Sequence, residues 1–277
     1  MTAGVRMDQD YHVHSAFSDD AVSTVAENVA AARRRGLRTL CVADHVRHGT
    51  VWVPEFLAAV NALRPRPGLE VLAGLEATIL DRAGTLDLPD GIDGADIVLI
   101  ADHQFPGEHG PVPPEQMRDA IARGDATEQD VIEGLIEATA SALKGAARPQ
   151  LAHLFSILPK MGLAEAAVPD QAIAHLARQA RTAGAQLEVN EKWACPSPRT
   201  VRAFAQAGVT LVAGTGSHDC RDVGVYASVR RIADGAFAGQ ASLWSSLRRA
   251  WPYLPGDGAR RGPGSRAGAS QGTMEPI

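Results

Sequence analysis

The stretches that decide the fold of this chain are QDYHVH (9–14), LRTLCVAD (37–44), LEVLAGLEATIL (69–80), DIVLIADH (96–103), PQLAHLF (149–155), AQLEVN (185–190) and VTLVAGTG (209–216). Each stretch is short and rich in β-branched and aliphatic residues. Several are nearly continuous in apolar residues, as expected for parallel strands that are buried on both faces. The sequence therefore predicts seven parallel β-strands.

Helical signals occupy the intervals between these strands. Thr24 and Glu27 form a capping-box pattern at the start of an alanine-rich segment, and Gly36 follows that segment as a C-terminal glycine. Further helices are expected between Thr127 and Gly145, Asp170 and Gly184, and Ser197 and Gly208. The alternation of strands and helices predicts a parallel α/β fold. Seven repeats favour a closed or nearly closed barrel, although an open doubly wound sheet has the same local pattern.

The length of 277 residues fits a single large domain, because α/β barrels commonly run to about 250 residues. We expect this domain to cover residues 1–254. Nine of the 23 residues in 255–277 are Gly or Pro, so that tail is predicted to be disordered. The proline-rich segment 104–126 directly follows a strand and is predicted to be a loop over the site.

Composition narrows the functional classes. The formal net charge of −5 argues weakly against binding to nucleic acid or to an anionic membrane. The three cysteines form no Cys-x-x-Cys pair, which favours a reducing compartment. We see no signal peptide, and the longest aliphatic run, 97–101, is too short to span a bilayer. A cytoplasmic protein without a membrane segment is therefore expected.

Histidines are concentrated at the ends of the predicted strands. The carboxyl ends of parallel strands gather on one face of an α/β fold, where active sites form. The candidate ligands are His12, His14, Asp19, His45, Glu76, His103, His153 and His218. Neutral imidazoles bind transition metals well, and carboxylates can bridge two ions. Eight candidates exceed the needs of one tetrahedral site, so the sequence predicts a cluster of two or three metal ions.

The candidate ligands lie within a series of short motifs: HVHS (12–15), SD (18–19), ADH (43–45), GLE (74–76), DH (102–103), AH (152–153), LEVN (187–190), SH (217–218) and DVG (222–224). In this order, over roughly residues 8–230, the chain resembles the polymerase and histidinol phosphatase (PHP) family. The resemblance implies a distorted seven-stranded (β/α)7 TIM-like barrel with up to three metals at the carboxyl ends of its strands.

The resemblance also implies how the ligands are shared. His12, His14 and Glu76 would contribute to one metal; Asp19, His45 and His218 to a second; and His103 and His153, with Glu76 bridging, to a third. One position departs from the family pattern, which has an Asp two residues before the last His. Gly216 stands there, and the metal that would use the missing carboxylate is left with a weak site, an empty site, or a replacement from Asp219.

By resemblance, the activity is that of a metal-dependent phosphoesterase that acts on a small phosphomonoester, as histidinol phosphatase does. A hydroxide bridging two or three divalent ions (Zn, Mn or Fe) would attack phosphorus, since bound metal lowers the pKa of water. Lys192 and Arg221 follow strands six and seven and could bind the phosphate. Glu188 and Asn190 could serve the site or simply line a polar barrel mouth. Two alternatives stay open: a phosphodiesterase or exonuclease on the same metals, and a repurposed, non-catalytic metal-binding protein. A metal-dependent hydrolase of carbon–nitrogen bonds on a related barrel is a third. The sequence predicts no particular oligomeric state.

Overall fold

The computed structural model describes residues 4–64 and 67–238. The domain boundary expected at 254 and the tail 255–277 lie outside the described residues. The strands are β1 (Gln9–Val13), β2 (Thr39–Val46), β3 (Glu70–Thr78), β4 (Ile97–Ala101), β5 (Phe105–Gly107), β6 (Gly110–Val112), β7 (Pro149–Leu151), β8 (Gln186–Asn190) and β9 (Thr210–Gly214). The helices are α1 (Val25–Arg34), α2 (Val53–Asn61), α3 (Pro114–Arg123), α4 (Glu128–Ala142), α5 (Asp170–Thr182), α6 (Pro198–Gln206) and α7 (Ser228–Phe237).

Seven strands form one parallel sheet in the order β1-β2-β3-β4-β7-β8-β9, as the seven apolar segments predict. The first and last strands meet through a parallel bridge between Val13 and Ser217. Around it, the Gly216 N–H donates to the His12 carbonyl and the His14 N–H donates to the Ser217 carbonyl, both at 2.8 Å. The sheet is therefore a nearly closed barrel with helices between its strands, and the open-sheet alternative does not apply.

The barrel interior is packed with small side chains. Cys41 and Ala43 of β2 point inward beside Leu99 of β4, and all three are fully buried. A Cβ on Gly74 of β3 would lie 2.8 Å from the Cys41 sulfur and 2.9 Å from a Leu99 methyl carbon, so that glycine is required by close packing. Larger aliphatic side chains on the opposite strand faces pack against the helices.

The predicted helices begin where their caps indicate. In α1, the Thr24 side chain accepts a hydrogen bond from the Glu27 N–H, and the Glu27 carboxylate accepts one from the Thr24 N–H. The prediction of a loop over 104–126 is wrong, because this segment forms the antiparallel β5–β6 hairpin and helix α3. Among the described residues, no helix combines the length and apolar character needed to cross a membrane.

Candidate metal centre

Glu76 is the centre of the histidine cluster. It lies on β3 with only 1% of its surface exposed, and β2 pairs with β3 so that His45 stands beside it. The distances from histidine Nε2 to a Glu76 carboxylate oxygen are 3.3 Å for His12, 3.6 Å for His14, 3.0 Å for His45, 3.3 Å for His103 and 2.9 Å for His153. Five imidazoles from four strand ends thus surround one buried carboxylate.

The His-x-His pair occupies the end of β1. Residues two apart in a strand share one face, so both rings point into the barrel mouth. Their Nε2 atoms lie 3.1 Å apart, and both residues are almost fully buried. The main-chain bonds to Gly216 and Ser217 fix this strand end against the end of β9. The two nitrogens are therefore held close enough to share one cation.

The rings are oriented by contacts to their other nitrogen. Nδ1 lies 3.1 Å from Glu188 in His12, 3.3 Å from Asp102 in His153, 3.0 Å from the Thr78 hydroxyl in His103, and 2.9 Å from the Gly216 carbonyl in His218. Metal-binding histidines commonly use one ring nitrogen in this way, which fixes the tautomer and leaves the other nitrogen for the ion. In each of these four rings the remaining nitrogen is Nε2.

The state of the Glu76 carboxylate also indicates a metal cluster. The Oε2 atom of Glu76 is buried and has no hydrogen-bond partner among the described residues, although imidazoles surround it. A buried, unpaired carboxylate oxygen is costly, and a cation bound there would remove that cost. Three groups could hold an ion, with ligand atoms within 4.8 Å of one another: His12, His14 and Glu76; His45, Glu76 and His103; and His14, His45 and His218. Imidazole and carboxylate ligands suit Zn, Mn and Fe.

The pKa values of the two histidines at the end of β1 are shifted in opposite directions. Burial opposes protonation of His12, but the carboxylates of Glu188 and Glu76 outweigh it and hold the pKa of His12 well above its usual value. Burial and the charge of His12 hold the pKa of His14 well below its usual value. This direction of the His14 pKa favours the neutral imidazole, which is the form that binds a metal.

The aspartate that the structure brings to the cluster is Asp20, whereas Asp19, the predicted ligand, is not among the residues that line the cavity. Asp20 lies with Oδ2 at 2.9 Å from His218 Nε2 and Oδ1 at 3.5 Å from His45 Nδ1. Asp19 is exposed and does not line the cavity. The turn after β1 decides the difference, since Asp44 accepts hydrogen bonds from the Ser15 and Ser18 side chains and fixes the path of the chain there.

Arg221 is the second predicted residue that the structure does not bring to the histidine cluster. Its guanidinium donates to Asp219 at 2.6 and 3.0 Å, and the Arg221 side chain is 83% exposed. The Asp219 carboxylate is thus paired with Arg221, and Asp219 is not in any of the groups of described ligand atoms that could hold an ion. Gly216 itself has a φ of +60°, and a Cβ there would lie 3.1 Å from Asn190 Nδ2. Position 216 thus faces the polar barrel mouth and contributes no ligand atom.

The remaining lining of the cavity comes from the segment after β8. The cavity has a volume of about 180 Å³, and Lys192 and Trp193 line it together with the cluster. Lys192 Nζ lies 3.2 Å from His218 Nδ1, so the structure places this predicted residue at the metal centre. The sequence did not indicate Trp193, nor Lys160, whose Nζ lies 4.2 Å from the centroid of the Trp193 ring.

Comparison with known proteins agrees with this geometry. The family model of the PHP domain matches residues 10–190. In solved structures, the chain is similar to histidinol phosphate phosphatase of Lactococcus lactis subsp. lactis Il1403, complexed with zinc, L-histidinol and phosphate. That match has a TM-score of 0.59 and 18% identity, and covers 82% of this chain and 92% of the other. At this identity the likeness shows the fold.

Curated relatives are similar over a shorter stretch. A probable phosphatase of Thermoanaerobacter sp. (strain X514) is 36% identical over 104 residues, which is 34% of this chain and 40% of the relative. A probable phosphatase of Photobacterium profundum is 40% identical over 99 residues, again 34% and 40%. The chain thus spans about two fifths of the length of these curated relatives.

Proposed function

The chain belongs to the PHP domain family, and from that premise we propose that it is a metal-dependent phosphatase that hydrolyses a small phosphomonoester. The observation that carries the proposal is the buried Glu76 carboxylate amid five imidazole Nε2 atoms, with one carboxylate oxygen left unpaired. The neighbouring phosphatases, by their names, favour phosphate ester hydrolysis over other metal-dependent reactions.

The residues around Glu76 would hold the ions. His12, His14 and Glu76 form the most buried of the three possible groups. Divalent ions in these groups would supply Lewis acidity, which polarises phosphoryl oxygens and acidifies water. The protein's part is to keep each Nε2 free and aimed at the cavity. Glu188 does this for His12, and Asp102 does it for His153.

Lys192 would bind the phosphoryl group. Its ammonium lies at the edge of the cluster, next to His218, and can neutralise part of the negative charge of a phosphate dianion. The cavity of about 180 Å³ accommodates a phosphoryl group and leaves the rest of the ester outside the cluster. A small monoester with its leaving group in the mouth fits this arrangement better than a polymer, and the net charge of −5 also disfavours a polyanion.

The test combines metal content with hydrolysis. Protein purified without chelator is expected to carry at least two transition-metal ions per chain by elemental analysis. It should hydrolyse p-nitrophenyl phosphate, and a chelator should abolish this turnover until metal is restored. His14→Ala and His103→Ala should each lower turnover by orders of magnitude, because each removes a ligand. His175→Ala is the matched control, since His175 is exposed on α5.

Three results would contradict the proposal in different ways. One ion or fewer per chain, even after addition of Mn, Zn or Fe, refutes the cluster. Faster turnover of bis-p-nitrophenyl phosphate than of the monoester supports the phosphodiesterase alternative. Full metal content without hydrolysis of either ester supports a repurposed, non-catalytic protein.

A further inference from the structure

Two lysines converge on one indole ring at the mouth of the metal centre. Lys160 Nζ lies 4.2 Å from the centroid of Trp193, and Lys192 Nζ lies 5.8 Å from it. The Trp193 side chain is itself 41% exposed, although it lines the cavity that holds the histidine cluster. The edge of the site therefore carries two positive charges and an accessible aromatic face.

Within the described part of the chain, neither ammonium lies at ion-pair distance from a carboxylate. Lys160 is only partly exposed, yet it forms no ion pair within residues 4–64 and 67–238, and the same holds for Lys192. The nearest group to Lys192 is His218 Nδ1. That nitrogen faces the Gly216 carbonyl at 2.9 Å, and a carbonyl oxygen only accepts hydrogen bonds, so Nδ1 keeps its proton and cannot accept one from the lysine.

The positions of the lysines are set by the backbone. After β8, the Lys192 N–H donates to the Thr215 carbonyl at 3.2 Å, and the Trp193 N–H donates to the Asn190 side chain at 2.8 Å. Lys160 lies in a 3₁₀ turn, Leu158–Met161, whose first and last residues are buried. Two anchored segments thus place the backbones of both lysines near the same ring, which limits the region that their ammonium groups can reach.

The charged groups that line the neighbouring cavity on the other side of Lys192 are mainly acidic, Asp20, Glu191, Asp219 and Asp222, and this cavity therefore does not attract an anion. This cavity has a volume of about 530 Å³ and carries carboxylates on its walls. Asp20 lies against two histidines of the cluster, and Asp219 pairs with Arg221. The Glu191 carboxylate accepts three main-chain N–H groups at the start of α7. The positive charge of Lys160, on the Trp193 side of the mouth, is therefore available to an anion.

We propose that Lys160 and Trp193 form a leaving-group subsite, and that the substrate is a phosphomonoester whose leaving group carries a second anionic group, such as a carboxylate or phosphate, on a planar or apolar body. This inference rests on the proposed phosphatase activity. With the phosphoryl group at the cluster beside Lys192, the leaving group extends past the Trp193 ring and places its anion at Lys160. The reaction remains hydrolysis of a single P–O bond, and the subsite acts on recognition alone.

The test uses two esters of the same shape: 4-carboxyphenyl phosphate, with an anionic leaving group, and 4-carbamoylphenyl phosphate, with a neutral one. We expect wild-type protein to show a kcat/KM about fivefold higher for the carboxylate, the size of a good exposed ion pair. The ratio should approach one in Lys160→Met, which keeps an apolar stem over the ring. It should also fall as ionic strength rises. Lys144→Met is the matched control, because Lys144 is exposed at the end of α4.

Trp193 gives a second measurement. Trp193→Ala should raise KM for both esters more than it lowers kcat, and Trp193→Phe should restore most of the loss, because a ring remains. A wild-type ratio of one, or an unchanged ratio in Lys160→Met, would overturn the subsite while leaving the phosphatase intact. If the metal-loaded protein hydrolyses neither ester, the phosphatase proposal itself is refuted, and the subsite with it.

Discussion

Replacement of Gly214 by alanine should damage the metal centre although Gly214 contributes no ligand. A Cβ at this position of β9 would lie 2.0 Å from Glu188 Oε1, 2.8 Å from Glu188 Cδ and 2.9 Å from His12 Cβ. The Glu188 carboxyl group must therefore move by about 1 Å or more to reach an ordinary contact distance. Because position 214 has no side chain, the Glu188 carboxylate can occupy the space beside it.

The cost follows from what Glu188 holds. Its carboxylate is fully buried and accepts from His12 Nδ1 at 3.1 Å, from Asn190 Nδ2 at 2.7 Å and from the His153 N–H at 2.8 Å. Loss of one such charged hydrogen bond costs about 1.5–3 kcal/mol, and overpacking adds about 1–3 kcal/mol. We expect the free energy of unfolding to fall by about 3 kcal/mol, which lowers Tm by about 6–12 °C in a domain of this size. Metal affinity should fall about 10- to 100-fold, because His12 loses its orientation.

Calorimetric metal titration and thermal melting of the metal-free protein measure the two effects. Gly134→Ala is the matched control, because a Cβ there would meet its neighbours at 3.4 Å or more within helix α4. Glu188→Gln keeps the size of the side chain and removes its charge, so it should weaken metal binding with a smaller loss of stability. Wild-type melting and metal affinity in Gly214→Ala would refute the reasoning, as would wild-type metal affinity in Glu188→Gln.

Three further predictions concern the cluster and its mouth. Asp20→Asn should lower metal affinity about tenfold or more while Asp19→Asn leaves it unchanged, as measured by titration; the reverse order would restore the sequence-based assignment. Gly216→Asp should tighten metal binding and reduce the need for added metal, because it returns a carboxylate to the barrel mouth, and an affinity equal to wild type would contradict this. Lys192→Met should lower kcat/KM for p-nitrophenyl phosphate about tenfold or more, whereas Arg221→Met, which changes an exposed side chain, should not; a wild-type kcat/KM in Lys192→Met would show that Lys192 does not bind phosphate.

The fold was predictable because its signals are local and repeated. All seven strands of the barrel appear where an apolar run predicts them. The structure of segment 104–126 was not predictable, because a cluster of prolines is typical of loops. Here Pro113 and Pro114 stand at the start of α3, where a fixed φ and a missing N–H are tolerated. The hairpin before α3 contains strands of three residues each, which are too short to show an alternation of polar and apolar residues in the sequence.

The sequence predicts which types of residue form the candidate site and at which strand ends they lie. Adjacent aspartates in a turn cannot be told apart by sequence, since the path of the backbone decides which one faces the histidines. Asp20 and Asp19 are an example of this. Lys160 and Trp193 stand 33 positions apart, and no motif joins them. Their proximity arises only when the chain segments after β7 and β8 reach the same edge of the barrel.

The seam between β1 and β9 has a consequence for how the protein matures. The buried carboxylate of Asp10 on β1 accepts from the Thr215 N–H, the Thr215 hydroxyl and the Gly224 N–H, all within 2.9 Å. Tyr226 adds a hydrogen bond to the Gln9 carbonyl at 2.6 Å. The earliest strand is thus secured by residues made more than 200 positions later. On the ribosome, the strand end that carries the His-x-His pair lacks these hydrogen bonds until residues 215–226 have been made, so we expect tight ion capture at those two rings to follow closure of the barrel.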